Sequence, residues 1–525
     1  MKSATRRIGK ELIVCRRVRG GRALPRILWG VGFIELPLAL LLRNPLLMQW
    51  RSLATPLLFG ASIIALSLIC KGVGNRRFRH AKCGSIKMST TSLSSNFPDA
   101  LCASAHTFIH CALKAFYSMV FRMKQRAALL ALWLAVLLIA GAQEGIFQWR
   151  KHQVLSSPDA KAQQLGAHMI VGYSNPQAIK ILVAKGLVGG IFISAHNIKN
   201  RSGEAIHAEI SALQGLRKAA GLPPLIVSTD QEGGIVSRLS PPLSRLPPLA
   251  EVISAARPEE IEMLAFAYGE KQGCELAALG VNINFAPLAD LALPNDRHRL
   301  DFRSMIGQRA IDADPARVTS AVIGYAHGLE TSGVRATLKH FPGLGRVTSD
   351  THVFPATLAA SASDLEASDW LPFREGLRAT QSLLMVGHAT LSALDAKRPA
   401  SRSAKVVQEI VRQRWGHDGV LVTDDLTMGA VVRHGLCSAG VEAINAGIDL
   451  LLVSYDAEQY YEIFHCLLQA AREDRLEHKI LDDSQRRIGK LLGTLGSAPA
   501  ITLAATYPGM PRKQVPWPVS PDFFD

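Results

Sequence analysis

From about residue 160 onward the sequence alternates short apolar runs of β type with Ala- and Leu-rich stretches of helical type. The eight runs are 168–173, 188–193, 224–229, 282–287, 334–339, 382–387, 419–424 and 448–454. Helical segments lie between them, among them 258–278, 315–331, 404–415 and 439–446. Apolar runs of this kind belong to strands buried on both faces. Eight such strands, each followed by a helix, predict an α/β fold of the (β/α)8 TIM-barrel type. A doubly wound open sheet would need a Gly-rich phosphate loop after its first strand, and VGYSNPQ is not one. In a barrel, polar residues at the C-terminal strand ends converge on one pocket. That singles out Asp230, Gln231 and Glu232 after the third strand and Lys339 and His340 at the fifth. His388 follows the sixth, and Asp424 and Asp425 lie at the seventh. So many charges at one rim are hard to explain as structure, because unpaired buried charge is costly.

Charge is partitioned along the chain. The 525 residues carry a formal +16, yet residues 1–126 hold 21 basic and 3 acidic side chains, and the rest 38 and 40. The long C-terminal part is near neutral and has no bulk charge reason to bind a polyanion. Nothing in the basic region interleaves aromatics with the cations, so no nucleic-acid partner is expected. Three stretches there, 27–42, 53–70 and 127–142, are apolar enough to meet a membrane. The third follows MKQR from Met123 and ends in Ala140-Gly141-Ala142. A basic start, an apolar run and a small-x-small end describe a signal peptide, with cleavage leaving Gln143 first; uncleaved, the segment is a membrane anchor.

The expected organisation is therefore a basic region over 1–122 with two candidate membrane segments, or sequence upstream of a true start at Met123. A signal or anchor follows at 123–142, then the barrel at 143–505 and a Pro-rich tail at 506–525. The expected location is membrane-anchored or exported, with a cytoplasmic catalytic domain as the alternative. Five of the eight cysteines (Cys15, Cys70, Cys83, Cys102, Cys111) precede residue 127. Cys274, Cys437 and Cys466 sit in helix-like surroundings and are expected to be buried free thiols. No CxxC pair or zinc-spaced histidine accompanies any cysteine, so no structural metal is expected.

The stretch KHFPGLGRVTSDTH, 339–352, resembles the signature of glycoside hydrolase family 3, in particular its single-domain β-N-acetylhexosaminidase branch. Further matching segments follow the family's order: STDQEGGIVSRL, NINFAPLADL, IGQRA, MVGHATLSALD, RPAS and GHDGVLVTDDLTMGAV. Together they cover roughly 160–490. The resemblance implies a retaining mechanism with Asp424 as nucleophile, a carboxylate able to form a covalent glycosyl-enzyme that water then opens. It implies His352 as acid/base, oriented by Asp350; an imidazole suits proton exchange near neutrality. By position, Asp230, Arg238, Arg309, Lys339 and His340 resemble the residues that bind the sugar. Asp425 is expected to cap the next helix, and His388 is as readily a packed strand-end histidine as a catalytic one.

Two positions depart from the pattern. Leu344 stands where a His is common, and Ile235 where Arg usually follows EGG. The resemblance implies a carbohydrate substrate, a terminal β-linked GlcNAc on muropeptides or on chitin-type oligosaccharides, and no cofactor or metal. Three rival readings stay open: a β-glucosidase or xylosidase, a glycoside phosphorylase, and an inactive membrane-tethered sugar-binding barrel. About 70 residues follow the eighth strand, too few for the second domain from which two-domain β-glucosidases take a Glu acid/base.

Overall fold

The computed structural model describes residues 97–157, 159–292, 306–347, 355–432, 435–454 and 458–496. The chain divides into two compact units, Met1–Ile146 and Phe147–Asp525. The described part of the first belongs to the helix Phe97–Leu155, which continues unbroken through the expected signal or anchor segment. Leu130, Trp133, Leu134, Leu137, Leu138 and Ile139 are exposed on it. Among the described residues no helix is long and apolar enough to cross a membrane. The apolar segments 27–42 and 53–70 and the Pro-rich tail lie outside the described residues.

The second unit is built on eight parallel strands. They are β1 (Met169–Gly172), β2 (Gly190–Phe192), β3 (Ile226–Thr229) and β4 (Ile283–Asn284), then β5 (Arg335–Phe341), β6 (Leu383–Val386), β7 (Leu421–Thr423) and β8 (Leu451–Val453). Each overlaps one of the eight apolar runs. The sheet order is β7-β6-β5-β4-β3-β2-β1-β8, all neighbours parallel. A parallel bridge between Val422 and Leu450 joins β7 to the edge of β8 and brings the sheet round into a barrel. The expected segment 404–415 is helical but wound as a π-helix over Lys405–Arg414, with Trp415 N–H donating to the Ile410 carbonyl five residues back at 2.9 Å.

Side-chain alternation fills both faces. Ile170, Phe192, Ile226, Phe285, Met385 and Val422 form an inner cluster, with Phe192 stacked on Phe285 at 5.8 Å. Their neighbours Met169, Val171, Val227, Leu338, Leu384 and Leu421 belong to the outer core under the helices. The N-terminal end of the barrel is shut by the helix His478–Leu492, which adds Ile488 and Leu491 to the inner cluster. Asp449, fully buried just before β8, accepts from Arg412 at 2.6 Å, Arg487 at 3.0 Å and the Leu421 N–H at 2.7 Å. That end of the barrel is therefore a structural floor.

The expectation of three buried free thiols is corrected for the pairing of two of them and for the burial of Cys274, which is free as expected. Cys437 and Cys466 form a disulfide, their Cα atoms 5.4 Å apart, linking the helices Leu436–Ala446 and Gln459–Arg472. A separation of 29 residues gave no local clue; these helices follow adjacent strands and so pack together. Cys274 is exposed.

The floor yields a stability prediction. Asp449→Ala would strand two buried guanidinium groups and should lower unfolding free energy by about 3–5 kcal/mol in urea titration. Asp418 also binds Arg487, at 3.0 Å, but is half exposed, so Asp418→Ala should cost only about 1 kcal/mol.

Candidate active site

The opposite rim is where the sequence placed its charges. After β3 the chain enters a hairpin, Gln231–Gly233 paired with Val236–Ser237, that carries Asp230 at its base and Arg238 at its exit. Arg238 N–H donates to the Asp230 carbonyl at 3.2 Å. The hairpin needs the glycines of DQEGG. Gly233 and Gly234 both have positive φ, and a Cβ on Gly233 would lie 1.8 Å from the Tyr268 hydroxyl. Buried Asn284 on β4 fixes the start of the hairpin, accepting from Gln231 N–H at 2.9 Å and donating to its carbonyl at 2.8 Å.

Four charged side chains from three places meet behind this hairpin. Lys339 Nζ lies 2.7 Å from Asp230 Oδ1 and 2.6 Å from Glu232 Oε1. Arg309 forks onto both oxygens of Glu232, at 2.9 and 2.6 Å. Burial would push the Glu232 carboxyl up, but the Arg309 and Lys339 charges and their hydrogen bonds outweigh it and hold it well below the usual carboxylate range. Burial likewise opposes charge on Lys339, and Asp230 and Glu232 overcome it, raising its pKa. The formal charges of the four side chains sum to zero.

In front of them opens a cleft of ≈ 240 Å³ lined by Asp230, Arg238, Phe192, Ser194, His196 and Ser454 among others. Asp424 stands at the end of β7 with its N–H on the Val386 carbonyl at 3.0 Å, and Oδ1 accepts from Asp425 N–H at 2.8 Å. Asp425 does not cap a helix. Its Oδ1 accepts the N–H and hydroxyl of Thr427 in the turn that follows it, each at 2.9 Å, and Oδ2 accepts from Ser454. The corrected role ties the end of β7 to a residue of the cleft.

His340 is anchored elsewhere. Asp290, fully buried, accepts from His340 N–H at 3.0 Å, His340 Nδ1–H at 2.7 Å and Leu344 N–H at 2.7 Å. His388 is a packed histidine: Nδ1 accepts from Ser401 at 2.8 Å, Nε2 donates to the Asp425 carbonyl at 3.1 Å, and burial lowers its pKa. Leu344 joins a small apolar cluster with Leu288, Ile306, Val347 and Ala389, which accounts physically for an aliphatic residue there. Ile235 is half exposed at the hairpin tip. Asp350 and His352 lie outside the described residues.

Sequence reasoning missed three contributors. Glu232 was noted only as a charge, and Asp290 was quoted within NINFAPLADL without a role. His196 carried no signal; its Nε2 donates to the Tyr173 carbonyl at 2.6 Å and its Nδ1 accepts from Ser194 at 2.7 Å, fixing the ring on the cleft wall. Among the described residues no group of three His, Cys, Asp or Glu side chains could hold a metal ion.

Comparison with known proteins places this barrel. The family described as "Glycosyl hydrolase family 3 N terminal domain" matches residues 157–491, and the chain belongs to that family. It is 32% identical over 315 residues to a protein named beta-hexosaminidase from Nitrosomonas eutropha, covering 59% of this chain and 86% of that one. A beta-hexosaminidase of Xylella fastidiosa strain 9a5c is 35% identical over 271 residues, 51% of this chain and 76% of the relative. Among solved structures, a family 3 beta-N-acetylglucosaminidase from Paenibacillus sp. FPU-7 superposes with a TM-score of 0.59 at 29% identity, covering 67% of this chain and 66% of the other. A beta-N-acetylhexosaminidase from Beutenbergia cavernae gives 0.58 at 29% identity, over 64% of this chain and 99% of that structure.

The Asp290 anchor predicts a measurable loss. Asp290→Ala would leave two backbone N–H groups and an imidazole N–H buried without their acceptor, each costing ~1–3 kcal/mol. Chemical denaturation should show a deficit of about 3–5 kcal/mol, with hydrolytic activity falling as His340 loses its position.

Proposed function

We propose that the protein is a retaining, exo-acting β-N-acetylhexosaminidase that releases terminal non-reducing β-linked GlcNAc, with peptidoglycan fragments as substrate class. The observation that carries this reading is the neutral quartet of Asp230, Lys339, Glu232 and Arg309 beside a cleft on the Asp424 face of the barrel. Fixed donors and acceptors of this kind suit a ring of hydroxyls, and their bonds strengthen as charge develops toward the oxocarbenium ion. Similarity to the named hexosaminidases supports the choice of sugar.

In the proposed reaction the Asp424 carboxylate attacks the anomeric carbon while the bond to the aglycone oxygen breaks and His352 delivers a proton to that oxygen. His352 then takes a proton from water, which displaces Asp424 and frees the sugar with retained configuration. Asp350 accepts the other imidazole N–H and fixes the tautomer. Asp230, Arg238, Arg309, Lys339 and His340 hold the sugar.

For location, we propose export or membrane anchoring through the apolar segment 127–142. Its basic leader supports this, and so does the Cys437–Cys466 disulfide, since disulfides persist mainly in oxidising compartments.

Release of nitrophenol from β-GlcNAc, β-glucoside and β-xyloside substrates, with and without phosphate, tests the activity. GlcNAc should be preferred and phosphate should have no effect; faster release from glucoside, or phosphate dependence, would overturn the reading. Asp424→Asn should reduce turnover to background. His352→Ala should slow a poor leaving group by roughly 10²–10⁴-fold and nitrophenol much less; equal losses on both would remove His352 from the acid/base role.

A further inference from the structure

Glu232 is a deeply buried carboxylate of the site without an assigned task. Its side chain is 7% exposed, against 25% for Asp230. Asp230 lines the cleft and Glu232 does not. Yet both Glu232 oxygens are engaged: Arg309 takes the pair, at 2.9 and 2.6 Å, and Lys339 shares Oε1 at 2.6 Å. The two cations come from separate elements, Arg309 from the short helix Ile306–Arg309 and Lys339 from β5. Without Glu232 between them, two buried positive charges would face each other, and Lys339 would keep only its contact with the more exposed Asp230.

We propose that Glu232 is a positioning residue of the active site, holding the Lys339 ammonium charged against Asp230, which lines the cleft, and fixing the Arg309 guanidinium behind it, without touching substrate. This rests on the reading above in which those two cations bind the sugar. A buried ion pair that meets no ligand and binds no backbone group can be exchanged for well-packed apolar side chains with little loss. Here the cations must remain cations at the rim. Lys339 is the sensitive partner, since an ammonium deprotonates on burial whereas a guanidinium does not.

The consequence is a pH signature. In Glu232→Gln the shape of the side chain is kept but the anion is lost. Lys339 then faces desolvation and the Arg309 charge with Asp230 alone, so its pKa falls below that of an unfolded lysine. A lysine so depressed makes the fold gain stability as pH rises from its folded pKa toward its unfolded one. The melting-temperature deficit of Glu232→Gln relative to wild type should therefore narrow between about pH 7 and about pH 9. On nitrophenyl β-GlcNAc, kcat/KM should fall roughly 100-fold at neutral pH, and the alkaline side of its pH profile should fall more steeply than in wild type, where His352 alone sets it.

Glu232→Asp keeps the charge and retracts it by one methylene. Its melting deficit should be flat with pH, while KM rises about tenfold as the fork on Arg309 loosens. A pH-independent melting deficit in Glu232→Gln with an unchanged pH profile, or a wild-type KM in Glu232→Asp, would overturn the assignment. Should wild type hydrolyse none of the nitrophenyl glycosides, the functional reading alone falls. The pH dependence of the melting deficit then still decides whether Glu232 keeps Lys339 charged.

Discussion

A closed parallel sheet satisfies its backbone by pairing every strand with two neighbours, and this leaves its two rims as the places where buried polar groups can reach water. In this protein the rims are treated oppositely. The N-terminal rim is sealed by Ile488 and Leu491 and bolted by Asp449 between Arg412 and Arg487. The C-terminal rim stays open over Phe192, Asp230 and Ser454. Everything chemical follows from that asymmetry. The sealed rim fixes the strand register, and fixed register delivers Asp230, Lys339 and Asp424 to one mouth from three different strands.

Both rims carry buried ions, and the comparison separates scaffolding from site. At the floor, Asp449 is fully enclosed and receives a backbone N–H as well as two guanidinium groups, so it organises chain ends. At the mouth, charge is graded with depth. Glu232 and Lys339 are almost fully buried, Arg309 slightly less so, and Asp230 meets the cleft. Such a gradient keeps the outermost carboxylate available to a ligand while inner charges cancel. Asp290 performs the same service for His340 through three hydrogen bonds that fix both the backbone and the ring.

Much of this was legible in the residues and some could not be. Eight apolar runs sufficed for the barrel because strands buried on both faces leave an unmistakable continuous pattern. Asp230, Lys339 and Asp424 were legible because they terminate such runs. Asp290 and Glu232 were not, since each acts through a partner distant in sequence, 50 residues for His340 and 77 for Arg309. The disulfide was hidden for the same reason: its cysteines are neighbours only once the helices after β7 and β8 have packed. Asp425 misled because an Asp before a helix reads as a cap, whereas its carboxylate is drawn to Thr427 and Ser454.

Charge, finally, has to be read by location. The formal +16 belongs to residues 1–126, where 21 basic side chains face only 3 acidic ones. In the barrel the cations that matter are buried and matched, Lys339 and Arg309 by Asp230 and Glu232, Arg412 and Arg487 by Asp449 and Asp418. Matched buried pairs project little field into solvent, so these cations give the cleft little long-range pull on a polyanion. What it offers is short-range and directional: fixed N–H donors and carboxylate acceptors within a few ångström. That is the recognition a polyhydroxylated neutral ring requires, and a bulk-charge argument from composition would have pointed to the wrong class of ligand.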